Sequence, residues 1–418
     1  MPDNDKKPYV VVTGATGFLG RYLAAELLGK GYGVVAVVRK GSTMQGKLPE
    51  PTKGEEQRAL SNMDEPRAAL HMDGSLISAK RGISAKPGVS VEPGISVDYP
   101  NLVTVEADLS KAADAVPGIC GAAQGTPAAW FHFAWGGVNR DEIDSRRAQQ
   151  ENIAMSMSCL EAARMCGCGV FVDAGSRVEY GIVDGPMRED LECHPVNEYG
   201  RAKLMYYRAA RDGCETAGMR YVHLRFFSVY GVGDHPWSLV STLARELSGG
   251  RSVDVSACLH RWNFMHVRDA ATAVVAVYEA VSGGASPYNR TRKGPIDLDS
   301  LREGRQAEVS YALQEGASVA VYEAVSGGAS VTDMKTDIVN IASADTRVLR
   351  EFTEEILSIT GNKGQLRYGA FEQAKEGALS VEPDITRLLA LTGALPEPWR
   401  ERYTFRRGVE EIAARSLN

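Results

Sequence analysis

A tyrosine and a lysine one helical turn apart are the residues of this 418-residue chain whose types and spacing best fit acid–base chemistry. Tyr199 and Lys203 stand in "EYGRAK" at positions i and i+4, so on a helix both side chains share one face. A lysine ammonium beside a phenol stabilises the phenolate and lowers the pKa of the tyrosine. The pair therefore predicts a general acid or base that works near neutral pH.

A serine stands where it can assist this pair. Ser176 follows an apolar run in "VFVDAGSRVEYG", which predicts that it lies just past the end of a strand. Open α/β sheets place their sites at the carboxyl ends of the strands. We expect the Ser176 hydroxyl to polarise a substrate carbonyl oxygen beside Tyr199.

Three glycines near the N-terminus indicate a phosphate-binding turn. Gly14, Gly17 and Gly20 lie in "VVVTGATGFLG", between a buried strand and an amphipathic helix. Gly14 would allow the tight turn, Gly17 the approach of backbone N–H groups to a pyrophosphate, and Gly20 the packing of the helix against the sheet. The partial positive charge of the helix N-terminus would face the phosphates. The loop lacks the GK[ST] ending of a Walker loop, so it favours a dinucleotide; a tight turn without ligand is the alternative.

The end of the second predicted strand bears on cofactor preference. An acidic residue there would bind the ribose 2′-hydroxyl of NAD, but this chain has Arg39 followed by Lys40. A guanidinium suits the 2′-phosphate of NADP. We predict NADP as the preferred cofactor and NAD as the second choice; two solvated charges at a strand end are the alternative interpretation.

Apolar runs that alternate with helical patterns must position these residues. Predicted strands are "VVV", "GVVAVV", "LVTVEAD", "AWFHFA", "CGVFVDAG" and "MRYVHLRFF", and predicted helices include "RAQQENIAMSMSCLEAARMC" and "YGRAKLMYYRAARDGCETAG". Continuous apolar strands are typical of parallel sheets covered on both faces. The alternation predicts an α/β fold with a Rossmann-type doubly wound parallel sheet and right-handed crossovers.

Two segments interrupt this alternation. Residues 41–99 are rich in Gly, Pro, Ser and charge, which predicts a flexible surface insertion. "VAVYEAVSGGAS" occurs at 275–286 and again at 319–330, and two copies are too few for a solenoid. We interpret 287–330 as an inserted loop with duplicated ends; a functional lid is the alternative.

Composition excludes several classes of protein. The formal net charge of −6 offers no broad basic field for nucleic acid or an anionic membrane, and we expect neither as a partner. Seven scattered cysteines lack zinc-site spacing and the seven histidines form no HExxH cluster, so no metal is expected. The N-terminus has no apolar signal core and no window is long enough to span a membrane, which predicts a cytoplasmic location.

Taken together, these motifs resemble the extended short-chain dehydrogenase/reductase superfamily, in its NAD(P)-dependent epimerase/dehydratase branch. The matching pieces, in the order of the family, are "TGATGFLG", "ADLS", "FHFAW", "ENIAMS", "GSRVEYG", "YGRAK", "LRFFSVYG" and "NFMHVRDAATAV". They cover nearly the whole chain outside 41–99 and 287–330. The resemblance implies a Rossmann domain over 1–225 and a smaller C-terminal, mainly substrate-binding domain over 226–418, with 263–286 packing back on the first. It also raises the expectation of a homodimer.

The resemblance assigns a role to each residue that matches a family motif. Gly14, Gly17 and Gly20 match the dinucleotide glycines. Ser176, Tyr199 and Lys203 match the catalytic triad. In that scheme Tyr199 exchanges a proton with the substrate oxygen, Ser176 orients this oxygen, and Lys203 also hydrogen-bonds the nicotinamide ribose.

The same resemblance extends the cofactor site and its support. Asp108 matches the residue that holds the adenine amino group, and Ala134 lies where the backbone lines the cofactor. Asn152 matches the asparagine that supports the active-site helix. Further cofactor contacts implied by position are Thr16, Phe18, Leu19, Leu109 and Phe227.

Departures from the family motifs bear on the substrate. Sugar-nucleotide 4,6-dehydratases place an Asp-Glu pair directly after the catalytic hydroxyl residue, and here Arg177 and Val178 stand instead, which argues against dehydration. UDP-galactose 4-epimerases have an asparagine and an arginine where this chain has Ser228 and Trp262, and the neighbouring Arg261 is a candidate substitute for that arginine. Predicted substrate contacts are Trp135, Ser176, Ser228 and Trp262; for both tryptophans, ordinary packing is the alternative.

The combination of "HFAW", "GSRVEYG" and "RWNFMHVRDA" is most similar to the deoxysugar branch, which includes CDP-abequose and CDP-paratose synthase-like enzymes. This implies an NADPH-dependent oxidoreductase that reduces the 4-keto group of a nucleotide-linked 6-deoxyhexose. Three alternatives stay open: a nucleotide-sugar 4-epimerase, a reductase of a non-nucleotide ketone or aldehyde, and a non-catalytic NADP-binding sensor.

Overall fold

The computed structural model of the protein describes residues 7–44, 46–49, 99–139, 141–282, 336–370 and 380–416. Most of the predicted insertion at 41–99 and all of 287–330 therefore lie outside the described residues. After residue 330, Thr336–Ile341 forms a strand and Leu349–Ile359 a helix.

Seven parallel strands form the main sheet. Their order is β10-β6-β5-β4-β1-β2-β3, with every neighbouring pair parallel. This confirms the α/β class and the doubly wound parallel sheet. The strands are β1 Tyr9–Thr13, β2 Gly33–Val38, β3 Leu102–Glu106, β4 Ala129–His132, β5 Val170–Ser176, β6 Arg220–Phe226 and β10 Thr336–Ile341.

Nine α-helices lie in the described part of the chain. They are α1 Phe18–Gly29, α2 Val116–Ala122, α3 Arg146–Cys166, α4 Glu198–Ala217, α5 Leu239–Ser248, α6 Val267–Ser282, α7 Leu349–Ile359, α8 Thr386–Gly393 and α9 Phe405–Ser416. Short 3₁₀ helices cover Leu109–Ala115 and Arg177–Glu179.

Helices cover both faces of the main sheet. Alternate residues of β1 enter opposite cores: Val10 and Val12 pack with α1 and α6, whereas Val11 packs with α3 and α4. All three valines are fully buried. A strand that is apolar on both sides is stable only between two such layers, which is why these runs lack the alternation of a half-exposed strand.

The C-terminal third supplies two kinds of structure. Helix α6 packs against α1, and β10 adds an edge strand to the main sheet beside β6. A separate core gathers α5, α7 and α9 around small sheets. Those sheets are built from β7 Ser228–Tyr230, β8 Ser252–Val255, β9 Arg261–His266, β11 Thr346–Val348 and β12 Gln365–Tyr368. The division of the chain into two domains at 225/226 stays a prediction. Strand β10 follows this boundary in sequence but belongs to the main sheet.

Candidate active site

Ser176 and Tyr199 meet where β5 ends and α4 begins. Ser176 is the last residue of β5 and caps the 3₁₀ turn that follows, since its Oγ accepts from the Val178 N–H at 3.4 Å. Asn197 starts α4 by accepting the Gly200 N–H at 2.8 Å, which places Tyr199 in the first turn. The Ser176 hydroxyl lies close enough to lower the pKa of the Tyr199 phenol. The structure thus brings together two of the three predicted catalytic residues.

Lys203 lies one turn further along α4 and is buried. Its Nζ donates to the Ala174 carbonyl at 2.7 Å and lies 5.8 Å from the centre of the Tyr199 ring. Burial lowers the pKa of Lys203 to about 8, against the opposing charges of Asp173 and Glu179. The lysine is therefore mostly cationic at neutral pH, within range of the Tyr199 phenol.

The expected effect of Lys203 on Tyr199 is wrong for the protein as the structure describes it. Burial raises the pKa of Tyr199 to about 12; the Ser176 hydroxyl lowers it and the charge of Glu179 raises it. Desolvation of the phenolate is the largest cause, and the Lys203 ammonium donates to a backbone carbonyl. Tyr199 is consequently a protonated phenol at neutral pH.

Asn152 forms hydrogen bonds with the loop that follows β4, and its support of the active-site helix stays a prediction. Its Oδ1 accepts the Gly136 N–H and its Nδ2 donates to the Gly136 carbonyl, both at 2.9 Å. Gln149, one turn earlier on α3, accepts the Trp135 indole N–H at 3.0 Å and donates to the Gly137 carbonyl at 2.9 Å. Two buried amides of α3 thereby fix the loop that follows β4.

This loop presents Trp135 to the catalytic pair. The indole ring lies 3.6 Å from Lys203 Nζ and meets the Tyr199 ring edge-to-face at 6.2 Å between centroids. Trp135 was predicted as a substrate contact, with packing as the alternative. The observed contacts are with the catalytic residues themselves.

A buried charged network behind Ser176 was missed by sequence reasoning. Glu179 accepts the Ser176 N–H at 2.7 Å, while its other oxygen lies 2.9 Å from His223 Nε2 and accepts from Arg225 Nε at 3.0 Å. The second ring nitrogen of His223 lies 2.9 Å from Asp173 Oδ1. All four charged side chains are at most 2 % exposed. Polar residues inside otherwise apolar strands were the available signal.

The glycine turn fits a dinucleotide, on the evidence of where added Cβ atoms would lie. At Gly14, with φ of +76°, a Cβ would stand 2.5 Å from the Phe133 carbonyl carbon, and at Gly20 only 2.1 Å from the Gly14 oxygen. At Gly17 it would meet only the Gly14 oxygen, at 3.1 Å. The absence of a side chain at Gly20 therefore allows a close approach between α1 and the glycine turn, rather than between α1 and the sheet. Gly17 is exposed at the start of α1, where a pyrophosphate would lie.

The remaining predicted cofactor residues border this turn or the ends of neighbouring strands. Arg39 is exposed directly after β2, and Ala134 adjoins Gly14. The Asp108 Oδ1 accepts two hydrogen bonds from Ser110, one from its backbone N–H at 3.0 Å and one from its hydroxyl at 2.8 Å. Leu109 packs into the α3 side of the core and Phe227 is buried against Tyr180. Thr16, Phe18 and Leu19 are partly buried at the start of α1.

Arg177, which follows strand β5 of the main sheet, contacts Trp262 of β9 in a smaller sheet. The Arg177 guanidinium stacks 4.7 Å from the centre of the Trp262 ring. Ser228, on the neighbouring strand β7, is partly buried and pairs in register with Phe264. Arg261, the candidate substitute for the family arginine, is committed elsewhere: it pairs with Glu382 at 3.1 Å and donates to the Thr346 carbonyl at 2.9 Å.

Metal-binding clusters and membrane-spanning helices are both absent from the described residues. In the part of the chain that the structure describes, no cluster of three or more His, Cys, Asp or Glu residues could hold a metal ion. Among the same residues, no helix has the length and apolar character needed to cross a membrane. All seven cysteines carry free thiols.

The fold and these motifs define a member of the NAD-dependent epimerase/dehydratase family, whose model matches residues 10–289; the chain belongs to this family. Among curated relatives, it is similar to the dTDP-6-deoxy-L-talose 4-dehydrogenase (NAD(P)(+)) of Kitasatospora kifunensis, with 26 % identity over 62 % of this chain and 64 % of that protein. It is also similar to the UDP-glucose 4-epimerase of Azospirillum brasilense, with 36 % identity over 20 % of this chain and 24 % of the relative. The match thus covers less than two thirds of either relative.

Solved structures share the fold over nearly the whole chain. The UDP-glucose 4-epimerase of Thermotoga maritima with UDP-glucose superposes with a TM-score of 0.62 at 16 % identity, covering 98 % of this chain and 100 % of that one. MoeE5 in complex with UDP-glucuronic acid and NAD has a TM-score of 0.59 at 21 % identity, covering 98 % and 99 %. At such identities the likeness shows the architecture.

Proposed function

We propose that the protein is an NAD(P)-dependent oxidoreductase that reduces the 4-keto group of a nucleotide-linked 6-deoxyhexose, with NADPH preferred. The observation that carries this proposal is one short loop. Its backbone at Phe133 and Ala134 borders the glycine turn at Gly14, and its next residue, Trp135, contacts Lys203 and Tyr199. A dinucleotide bound at the glycine turn would therefore lie near Tyr199, the predicted proton donor.

The residues of the chain have distinct tasks in this reaction. The nicotinamide, when bound, supplies the hydride. Tyr199 donates a proton to the substrate oxygen. Ser176 donates a hydrogen bond to the same oxygen before the proton is transferred. Lys203 places a positive charge beside the developing oxyanion, which stabilises it.

The protonation state of Tyr199 is compatible with ketone reduction. A phenol with a pKa of about 12 holds its proton at neutral pH, as the acid in a ketone reduction must. The Asp-Glu pair of the 4,6-dehydratases is absent, since Arg177 and Val178 stand in its place. The similarity to a dTDP-6-deoxy-L-talose 4-dehydrogenase agrees with chemistry at the same sugar carbon.

A nucleotide-sugar 4-epimerase is the second candidate. Several curated relatives and solved structures similar to this chain are named as UDP-glucose 4-epimerases. An epimerase also uses a tyrosine to move a proton at the sugar 4-oxygen, but it retains its NAD and consumes none. Net consumption of cofactor therefore separates the two functions.

The test uses the purified full chain with NADPH or NADH and a panel of nucleotide sugars. We expect NADPH oxidation with dTDP- or CDP-4-keto-6-deoxyglucose, one cofactor per sugar reduced, and none with UDP-glucose. Interconversion of UDP-glucose and UDP-galactose with tightly held NAD and no net oxidation would make the protein an epimerase. Reduction of simple aldehydes alone would overturn the assignment to nucleotide sugars.

A further inference from the structure

The guanidinium of Arg177 is a cation at the candidate active site that no carboxylate of the described residues neutralises. Arg177 follows Ser176 directly in the chain, and its side chain reaches across to Trp262 of β9. In the described part of the chain this guanidinium makes no hydrogen bond and no ion pair. Burial lowers the pKa of Arg177 to about 10, so the group stays charged at neutral pH although it is poorly solvated.

The contact with Trp262 orients this cation and leaves its donors available. Stacking uses the face of the guanidinium plane, whereas the N–H donors lie along its edges in a fork that fits two oxygen atoms of a phosphate or carboxylate. The indole Nε1 of Trp262 is also buried without an acceptor among the described residues. A partly buried cation beside a buried donor that lacks an acceptor is a favourable place for an anion.

Neighbouring arginines do not share this property. Arg261, next to Trp262, is neutralised by Glu382 at 3.1 Å. Arg225, on the other side of the catalytic serine, is neutralised by Glu179 at 3.0 Å. Of these three arginines, Arg177 is the one that forms no ion pair with a carboxylate in the described part of the chain.

We propose that Arg177, held against Trp262, binds the diphosphate of the nucleotide-linked substrate. This rests on the proposed function, because it presumes a nucleotide sugar whose 4-oxygen lies at Ser176 and Tyr199. The Arg177 side chain extends from the residue after Ser176 to the Trp262 ring of β9. In this proposal the sugar 4-oxygen lies at Ser176 and the diphosphate lies at the Trp262 end of the side chain. A sugar carboxylate is the other anion that the same fork would fit.

The first arm of the test measures binding without turnover. UDP, dTDP, CDP and GDP are each titrated by calorimetry into the full chain saturated with NADPH. For the nucleotide that binds best, we expect Arg177→Gln to raise Kd by about 10- to 100-fold, since a charge-assisted contact is lost. Arg177→Lys should recover part of this loss, whereas the matched control Arg261→Gln should leave Kd within about twofold. An unchanged Kd in Arg177→Gln overturns the proposal.

The second arm separates the two anions. UDP-glucose and UDP-glucuronate are titrated into the wild type and Arg177→Gln under the same conditions. Equal weakening of both supports the diphosphate, and weakening of UDP-glucuronate alone overturns it in favour of a carboxylate. The Kd for NADPH is measured for each variant, because a misfolded variant would also lose NADPH binding. If Arg177→Gln is misfolded, Arg177→Lys replaces it in the test. A raised nucleotide Kd with intact NADPH binding in Arg177→Lys then supports the proposal, and an unchanged nucleotide Kd overturns it.

Failure of this inference and failure of the proposed function give different results. Arg177-dependent binding of nucleoside diphosphates without any NADPH oxidation would keep the anion site and reject the ketoreductase. NADPH oxidation with a nucleotide sugar whose KM is the same in Arg177→Gln would keep the ketoreductase and reject the anion site.

Discussion

The ammonium nitrogen of Lys203 lies 3.6 Å from the centre of the Trp135 indole ring, while it donates to the Ala174 carbonyl at 2.7 Å. The aromatic face stabilises the cation, and this offsets part of the desolvation that lowers the pKa of Lys203 to about 8. We therefore propose that Trp135 acts on catalysis through the charge state of Lys203, as a positioning residue.

Replacement of Trp135 should shift the alkaline limb of the pH–rate profile. In the wild type we expect kcat to fall as pH rises through about 8, because Lys203 then loses its charge. In Trp135→Leu the limb should move down by about 0.5–1 pH unit, since a cation–π contact contributes about 0.5–1 kcal/mol or more. Trp135→Phe, which keeps an aromatic face, is the control and should lie between. An unmoved limb in Trp135→Leu would show that the ring does not influence Lys203.

Removal of the Tyr199 hydroxyl should abolish turnover and spare cofactor binding. We expect Tyr199→Phe to lower kcat by about 10²- to 10⁴-fold, because the proton donor is lost. Its Kd for NADPH, measured by fluorescence, should stay near that of the wild type. Tyr278→Phe removes a phenol on α6, outside the site, and should retain full activity. Wild-type turnover in Tyr199→Phe would remove Tyr199 from the catalytic role.

The sequence alone predicted those features that follow from local pattern. Apolar runs identified the strands, because a strand buried on both faces has no polar alternation. The helix that carries Tyr199 and Lys203 was predictable, since its N-cap and apolar face lie in one continuous segment. The placement of Ser176 at the end of β5 followed from the same pattern.

Features that depend on tertiary contacts were not predictable. The raised pKa of Tyr199 comes from burial, which the spacing to Lys203 does not report. The network of Asp173 and His223 requires the parallel register that pairs them across β5 and β6. The stacking of Arg177 on Trp262 joins residues of two different sheets. Local sequence contains none of these neighbours.

Reversal of charge at Arg39 should change the cofactor preference. Arg39 is exposed directly after β2, where a guanidinium would contact a ribose 2′-phosphate. We expect Arg39→Asp to raise the Kd for NADPH by about tenfold or more and to leave the Kd for NADH little changed. Lys40→Asp makes the same charge change one residue later and should have the smaller effect. Equal losses for both cofactors in Arg39→Asp would make Arg39 a bystander.

Two glycines of the same helix should respond oppositely to alanine. A Cβ at Gly20 would lie 2.1 Å from the Gly14 oxygen, so Gly20→Ala must displace the glycine turn. We expect it to lower the free energy of unfolding by about 1–3 kcal/mol and to weaken NADPH binding. A Cβ at Gly29 meets nothing within 4 Å, so Gly29→Ala should raise stability by about 0.5–1 kcal/mol. Normal NADPH binding in Gly20→Ala would contradict the tight approach of α1 to the turn.

The buried network should make stability fall with rising pH in a defined window. Burial alone would lower the pKa of His223, but Glu179 and Asp173 outweigh it and raise the pKa to about 9. Below about pH 6.5 both folded and unfolded chains carry the proton, and the stabilisation is complete. Between about 6.5 and 9 only the folded chain keeps it, so the contribution of His223 to the free energy of unfolding should fall by about 3 kcal/mol.

Urea denaturation across this pH range measures the contribution of His223. In His223→Gln the pH-dependent fall should disappear, although stability is lower throughout because Asp173 loses its partner. His132 is a matched control: it is also buried, but burial lowers its pKa to about 3, so it is neutral throughout the window. His132→Gln should therefore keep the wild-type slope. If His223→Gln keeps that slope as well, the pH dependence arises from other groups. The imidazole would then not be a charged partner of Asp173 and of Glu179, the residue that accepts the Ser176 N–H.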